Sequence, residues 1–126
     1  MSAKTSQRRV LVVDDQASIR RVVRAYLETV QKCSVAEAVN GIDAIKQLLT
    51  APFDLIITDL VMPEMTGLEL LGYVRRHASL QRMPVIMLTS QGDETDRRKA
   101  VALGVSHYLV KPFAPLSIKA VVEEYL

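Results

Sequence analysis

Cysteine is almost missing from this chain of 126 residues: Cys33 stands alone. No intrachain disulfide or Cys-rich zinc site can therefore form, and the expected role of Cys33 is that of a small core residue in a reducing, cytosolic setting. Long apolar runs are also lacking. None approaches the roughly 20 residues of a membrane span, and the polar start MSAKTSQRR has no apolar signal region, so a soluble, cytoplasmic protein without membrane insertion is expected. Charge of one sign is scarce too. Sixteen basic and fourteen acidic residues leave a formal net charge of +2, too little to draw the chain to nucleic acid by bulk electrostatics, and no direct nucleic-acid contact is expected. The two histidines, His77 and His107, have no paired ligand spacing, which favours solvated or locally hydrogen-bonded roles over metal binding.

What is present is an ordinary globular composition, 49% hydrophobic and 24% charged, at a length suited to one core of about 100–150 residues. The expected organisation is a flexible tail over 1–8 and a single domain over 9–126. Val10 to Val13 is an apolar run stopped by Asp14-Asp15, the pattern of a strand buried on both faces. Ile19, Val22, Val23, Tyr26, Leu27 and Val30 then recur at helical spacing, with arginines between them. The alternation continues. Strands are predicted over 34–39, 53–58, 85–88 and 105–110. Helices are predicted from the stripes Ile42, Ile45, Leu48, Leu49, then over 68–76, then from a cap at Asp93 to Leu103, and finally from Ile118, Val121, Val122 and Tyr125.

Five alternating βα units predict a parallel sheet with helices on both faces, because right-handed crossovers return the chain to one sheet. Chemistry in such folds collects at the carboxyl ends of the strands. Those ends carry Asp14, Asp15, Asp59, Thr89 and Lys111. Three carboxylates in one small site repel each other unless a cation intervenes. All-oxygen ligands favour Mg2+, with Mn2+ as a substitute. Beside such a cation a central carboxylate can attack phosphorus, with Lys111 screening charge and Thr89 donating a hydrogen bond. Asp59, ending the third strand, is the best-placed nucleophile. Taken singly, each element has a plainer reading as a helix cap, a turn or a loop. Their coincidence at strand ends is what points to a site.

The ordered set Asp14-Asp15, Asp59 with Met62-Pro63 and Gly67, Thr89-Ser90, and Tyr108 with Lys111-Pro112-Phe113 resembles the response-regulator receiver domains of two-component signalling, chemotaxis regulators included. The resemblance spans about residues 9–126. It implies a doubly wound, flavodoxin-like fold with the first strand between the second and third. It also implies that Asp59 accepts a phosphoryl group from a histidine kinase or histidine phosphotransfer protein. Asp14, Asp15, Asp59 and the backbone carbonyl of Val61 would hold the metal, Thr89 and Tyr108 would act as switch residues, and Lys111-Pro112 would be cis. By the same resemblance a downstream partner meets the helix 4–strand 5–helix 5 face, where Arg97, Arg98, Lys99, Tyr108 and Lys119 are expected, and the domain acts as a monomer or a phosphorylation-dependent dimer. Val61 and Gln91 stand where the family tunes the lifetime of the phosphoryl group, and Thr66 stands where many members have Asp.

Two other classes compete. A haloacid-dehalogenase-like phosphatase also uses a strand-end Asp and Mg2+, but typically carries a second Asp two residues on, where this chain has Val61. A flavodoxin-like electron carrier would need a hydroxyl- and glycine-rich first loop, and this one is acidic. Within the family, no linker or helix-turn-helix pattern follows Leu126, which favours a stand-alone module over a receiver fragment of a DNA-binding transcriptional regulator.

Overall fold

In the computed structural model, which describes residues 7–89, 94–111 and 115–126 apart from the side chains of residues 30, 115 and 116, the alternation becomes β1 (Arg9–Val13), α1 (Ala17–Val30), β2 (Ser34–Ala38), α2 (Gly41–Thr50), β3 (Leu55–Asp59), α3 (Gly67–Arg76), β4 (Val85–Thr89), α4 (Glu94–Ala102), β5 (His107–Val110) and α5 (Pro115–Tyr125). The Asp93 cap, the Lys111-Pro112 isomer, and the expectations for Ser90, Gln91 and Phe113 lie outside the described residues. The sheet is parallel in the order β2-β1-β3-β4-β5. That is the predicted doubly wound arrangement, and β3, the strand of Asp59, lies at its centre.

Strand side chains alternate between faces, and the sheet accordingly divides two cores. Leu11 and Val13 of β1, Ile56 of β3 and Met87 of β4 join Ala44, Leu48, Leu70, Leu71, Val74 and Ala100 from α2, α3 and α4. Val10, Val12, Leu55, Ile57, Ile86 and Leu88 join Val23, Leu27, Ile118, Val121 and Val122 from α1 and α5. Cys33 is free and buried in this second core, as expected.

Three apolar residues predicted to face inward do not. Val22 is 67% exposed, Leu49 54% and Ile42 42%. Each adjoins a residue on the buried row, Val23, Leu48 and Gly41 respectively, and one helical step of about 100° carries it off that row. In α2 the row is made of Gly41, Ala44 and Leu48. Its small residues bring the helix close: a Cβ at Gly41 would lie 2.7 Å from Met65 Sδ. Two strand starts also shift, for identifiable reasons. Phe53 and Asp54 precede β3 because they engage Arg9, whose guanidinium lies 5.0 Å over the Phe53 ring and whose N–H donates to the Asp54 carboxylate at 2.9 Å. Val105 precedes β5 because its N–H closes the end of α4, donating to Ala100 O at 2.9 Å beyond Gly104 at φ +88°, a glycine-terminated helix end.

The loop after β3 is held tightly. Thr66 caps α3 in a reciprocal box with Glu69, accepting from its N–H at 3.2 Å while the Glu69 carboxylate accepts from Thr66 N–H at 2.9 Å, so this threonine performs the capping task of an aspartate. Gly67 N–H donates to Leu60 O at 2.8 Å, and a Cβ on Gly67 would run into the Asp59 carbonyl. Gly67→Ala is expected to destabilise by about 1–3 kcal/mol through overpacking. Gly72→Ala, where the nearest obstacle is the mobile end of Arg76 at 3.0 Å, is expected to be neutral or to stabilise by up to about 1 kcal/mol from helix propensity. Urea midpoints of the two variants check both signs.

Candidate functional site

Asp14 and Asp15 lie just past β1, Asp59 ends β3, Thr89 ends β4, and Lys111 follows β5, so adjacent parallel strands deliver all five to one rim. Carboxylate oxygens of Asp14, Asp15 and Asp59 lie within 4.8 Å of one another. Lys111 Nζ stands 3.6 Å from Asp14 Oδ2 and 3.8 Å from Asp59 Oδ1, and its backbone N–H donates to Thr89 O at 2.6 Å. In the ladder Asp59 is opposite Leu88, placing Thr89 one residue beyond it, fully buried. The predicted nucleophile, metal pair, ammonium and switch threonine are therefore brought together.

Asp14 is fixed from two sides. Its N–H donates to Ala38 O at 3.1 Å and its Oδ1 accepts from Gln16 N–H at 2.9 Å. Asp59 Oδ1 accepts from Leu60 N–H at 2.8 Å. Burial raises the pKa of both carboxyls above the usual range; for Asp59 the charge of Asp14 raises it further, while Lys111 pulls against the rise in each case. Three carboxylates facing one ammonium leave negative charge uncompensated. The donor set fits a hard divalent cation, which takes oxygen ligands and relieves that repulsion.

Other predicted residues are placed differently. Tyr108 is half-buried on β5 and packs against the core under α2, α3 and α4. Arg97, Arg98 and Lys99 are exposed on α4, with Arg98 Nε 3.3 Å from Glu94. Lys119 lines a depression of about 500 Å³ with Arg8, Gln31, Cys33, Glu123 and Leu126. The Val61 side chain is 57% exposed. Sequence reasoning passed over Arg20, one of the arginines between the apolar positions of the first helix. Its Nη1 donates to Asp14 O at 2.6 Å and its Nε lies 2.9 Å from Glu37 Oε1. The available signal was a cation early in the helix after Asp14, with an acid in the neighbouring strand.

Fold and rim together define a doubly wound α/β module with an acidic, cation-suited centre at the carboxyl ends of its strands. Residues 10–123 match the response regulator receiver domain, and the chain belongs to that family, a component of two-component signalling. It is 41% identical over 115 residues to the transcriptional regulatory protein ResD of Bacillus subtilis, a match covering 91% of this chain and 46% of ResD. It is 40% identical over 120 residues to a chemotaxis protein CheY homolog of Campylobacter jejuni, covering 94% of this chain and 92% of that one. The chain thus spans under half of the first relative and nearly all of the second. Among solved structures, chemotaxis protein CheY4 of Vibrio cholerae superposes with a TM-score of 0.89 at 34% identity, over 96% of this chain and 100% of that one. Response regulator TrrA of Thermotoga maritima, solved in complex with Mg2+ and BeF, gives 0.84 at 30% identity, over 95% and 100%.

Because the Asp14 and Asp59 pKa values are raised in the fold, their contribution to stability is present at low pH and lost as pH rises through those raised values. Metal-free wild type is expected to melt higher at mildly acidic pH than at neutral pH. Asp59→Asn is expected to raise the neutral-pH melting temperature in chelator, by about 4 °C for each kcal/mol relieved, and to lose that advantage when Mg2+ stabilises the wild type. Calorimetry with and without Mg2+ checks the reversal.

Proposed function

We propose that this domain is a phosphorylation-operated switch in which Asp59 is the phosphoacceptor. The observation carrying the reading is the approach of Lys111 Nζ to both Asp14 and Asp59 beside a three-carboxylate cluster. In the transfer, an Asp59 carboxylate oxygen forms a bond to phosphorus, the P–N bond of a phosphohistidine donor breaks, and the departing imidazole keeps the electron pair and takes up a proton. The donor is a histidine kinase or histidine phosphotransfer protein. Asp14, Asp15, Asp59 and the Val61 carbonyl would hold Mg2+, or Mn2+ in its place, which when bound neutralises charge on carboxylates and phosphoryl oxygens. The bound magnesium and BeF of TrrA support this reading by similarity.

The protein's own residues do the rest. Lys111 supplies a cation to the phosphoryl oxygens, and Thr89 supplies a hydroxyl donor from the next strand. The acyl phosphate adds about one negative charge and new acceptor oxygens. Drawing Thr89 and Lys111 toward it lets Tyr108, half-buried one strand beyond β4, turn inward and alter the α4–β5–α5 face. A switch from about 1:99 to 99:1 requires a preference of roughly 5.5 kcal/mol for the active state. Arg97, Arg98, Lys99, Tyr108 and Lys119 suit an acidic partner segment, with Lys119 also lining a depression that includes Arg8. The domain, residues 9–126, works as a signalling module assisting its own phosphorylation and dephosphorylation. The similarity to ResD over 46% of its length supports a second reading, a receiver within a longer transcriptional regulator. No helix among the described residues is long and apolar enough to cross a membrane.

Incubation with Mg2+ and acetyl phosphate, followed by intact-mass measurement, is expected to add one phosphoryl group to wild type and none to Asp59→Asn or to chelated wild type. Lys111→Met is expected to lower labelling at least tenfold while Mg2+ still binds. Equal labelling of wild type and Asp59→Asn would remove Asp59 from its role.

A further inference from the structure

Of the groups bordering the acidic cluster, only the two aspartates of the first loop are joined by a single peptide unit, and that unit has its own anchor. Its carbonyl, Asp14 O, accepts from Arg20 Nη1 at 2.6 Å. The peptide is planar, so the direction of this carbonyl sets where the chain carries Asp15 relative to Asp14. Asp14 has independent restraints in Ala38, Gln16 and Lys111. Asp15 is exposed, and its place depends on the backbone that presents it.

Arg20 is itself braced. Its Nε lies 2.9 Å from Glu37 Oε1, and the Arg20 side chain is only 13% exposed. The other Glu37 oxygen accepts from Arg24 Nη1 at 3.0 Å, and the Glu37 backbone carbonyl accepts from Gln47 Nε2 at 2.8 Å. Glu37 on β2 is thus held from both α1 and α2. The hydrogen bond from Arg24, assisted by Arg20, keeps its carboxyl below the usual range, so it is charged at neutral pH. The Arg20 charge is matched by Glu37. The guanidinium therefore offers the Asp14–Asp15 peptide a directed donor without acting as a free counter-ion that would compete with a metal for the carboxylates.

We propose that Arg20 is a positioning residue for the acidic cluster: braced by Glu37, it holds the Asp14–Asp15 peptide in the orientation that presents both carboxylates to a divalent cation. This rests on the cation-dependent switch reading above. The planar fork of arginine engages Glu37 and the carbonyl with two different nitrogens at once, which a single ammonium cannot reproduce in that geometry.

The test uses the full chain and Mn2+ binding followed by electron paramagnetic resonance, with the Asp15 amide signal of the metal-free protein as a second readout. Arg20→Met and Arg20→Lys are each expected to weaken Mn2+ binding about tenfold and to shift the Asp15 amide. Arg24→Gln, which breaks a bond to the same Glu37 without touching Asp14, is expected to stay within about twofold of wild type. In acetyl phosphate labelling, Arg20→Lys is expected to need more Mg2+ for half-maximal rate and to reach a similar rate at saturation. Arg20→Lys keeps the charge and carries the test if Arg20→Met does not fold. Wild-type affinity in both Arg20 variants, or equal weakening by Arg24→Gln, overturns the proposal. Wild type that binds Mn2+ but takes no phosphoryl group sinks the switch reading alone, and wild type that binds no Mn2+ sinks both.

Discussion

The mutual repulsion of Asp14, Asp15 and Asp59 is the constraint around which this molecule is arranged. Carboxylate oxygens within 4.8 Å of one another, two of them on buried or half-buried side chains, are unfavourable unless something positive is shared among them. Lys111 supplies one such charge and reaches two of the three acids. The remaining deficit leaves the rim with a donor set suited to a divalent cation. A site that is uncomfortable when empty responds to ligands of small size and high charge.

Holding that arrangement falls to the backbone. The parallel ladder sets β1, β3, β4 and β5 side by side, so residues far apart in the chain end at one rim. Two buried cores clamp the sheet from both faces. Beyond the strands, the loops are tied by specific contacts: Gly67 against the Asp59 carbonyl, the Thr66–Glu69 box, and Asn40 Nδ2 donating to Glu64 Oε1 at 3.0 Å between the loops after β2 and β3. These contacts fix the loop that follows Asp59, while Asp15, exposed beyond β1, keeps more freedom.

Much of this was legible before any coordinates. Short apolar runs such as 10–13 and 85–88, alternating with helical stripes, fit strands buried on both faces, and charged or hydroxylic residues directly after them mark the functional rim in a parallel sheet. The convergence of Asp14, Asp15, Asp59 and Lys111 followed from those strand ends, while the sheet order came from the resemblance to receiver domains. The misses have separate causes. Val22, Ile42 and Leu49 are apolar yet exposed, because periodicity cannot say how wide a helix's buried stripe is and each lies one helical step off the buried row. Val105 was read as strand, although its N–H is spent on closing α4.

The sequence by itself determined the βα alternation, the chemical character of each strand end and hence the class of chemistry, since these depend on residue type and local spacing. Tertiary structure decided which charges meet. Whether an arginine pairs with solvent or with the carbonyl of Asp14 is a question of a few ångströms across α1, β1 and β2, and no local pattern contains it: the Arg20–Glu37 pair spans seventeen residues and exists only because β2 lies beside β1 in the folded sheet.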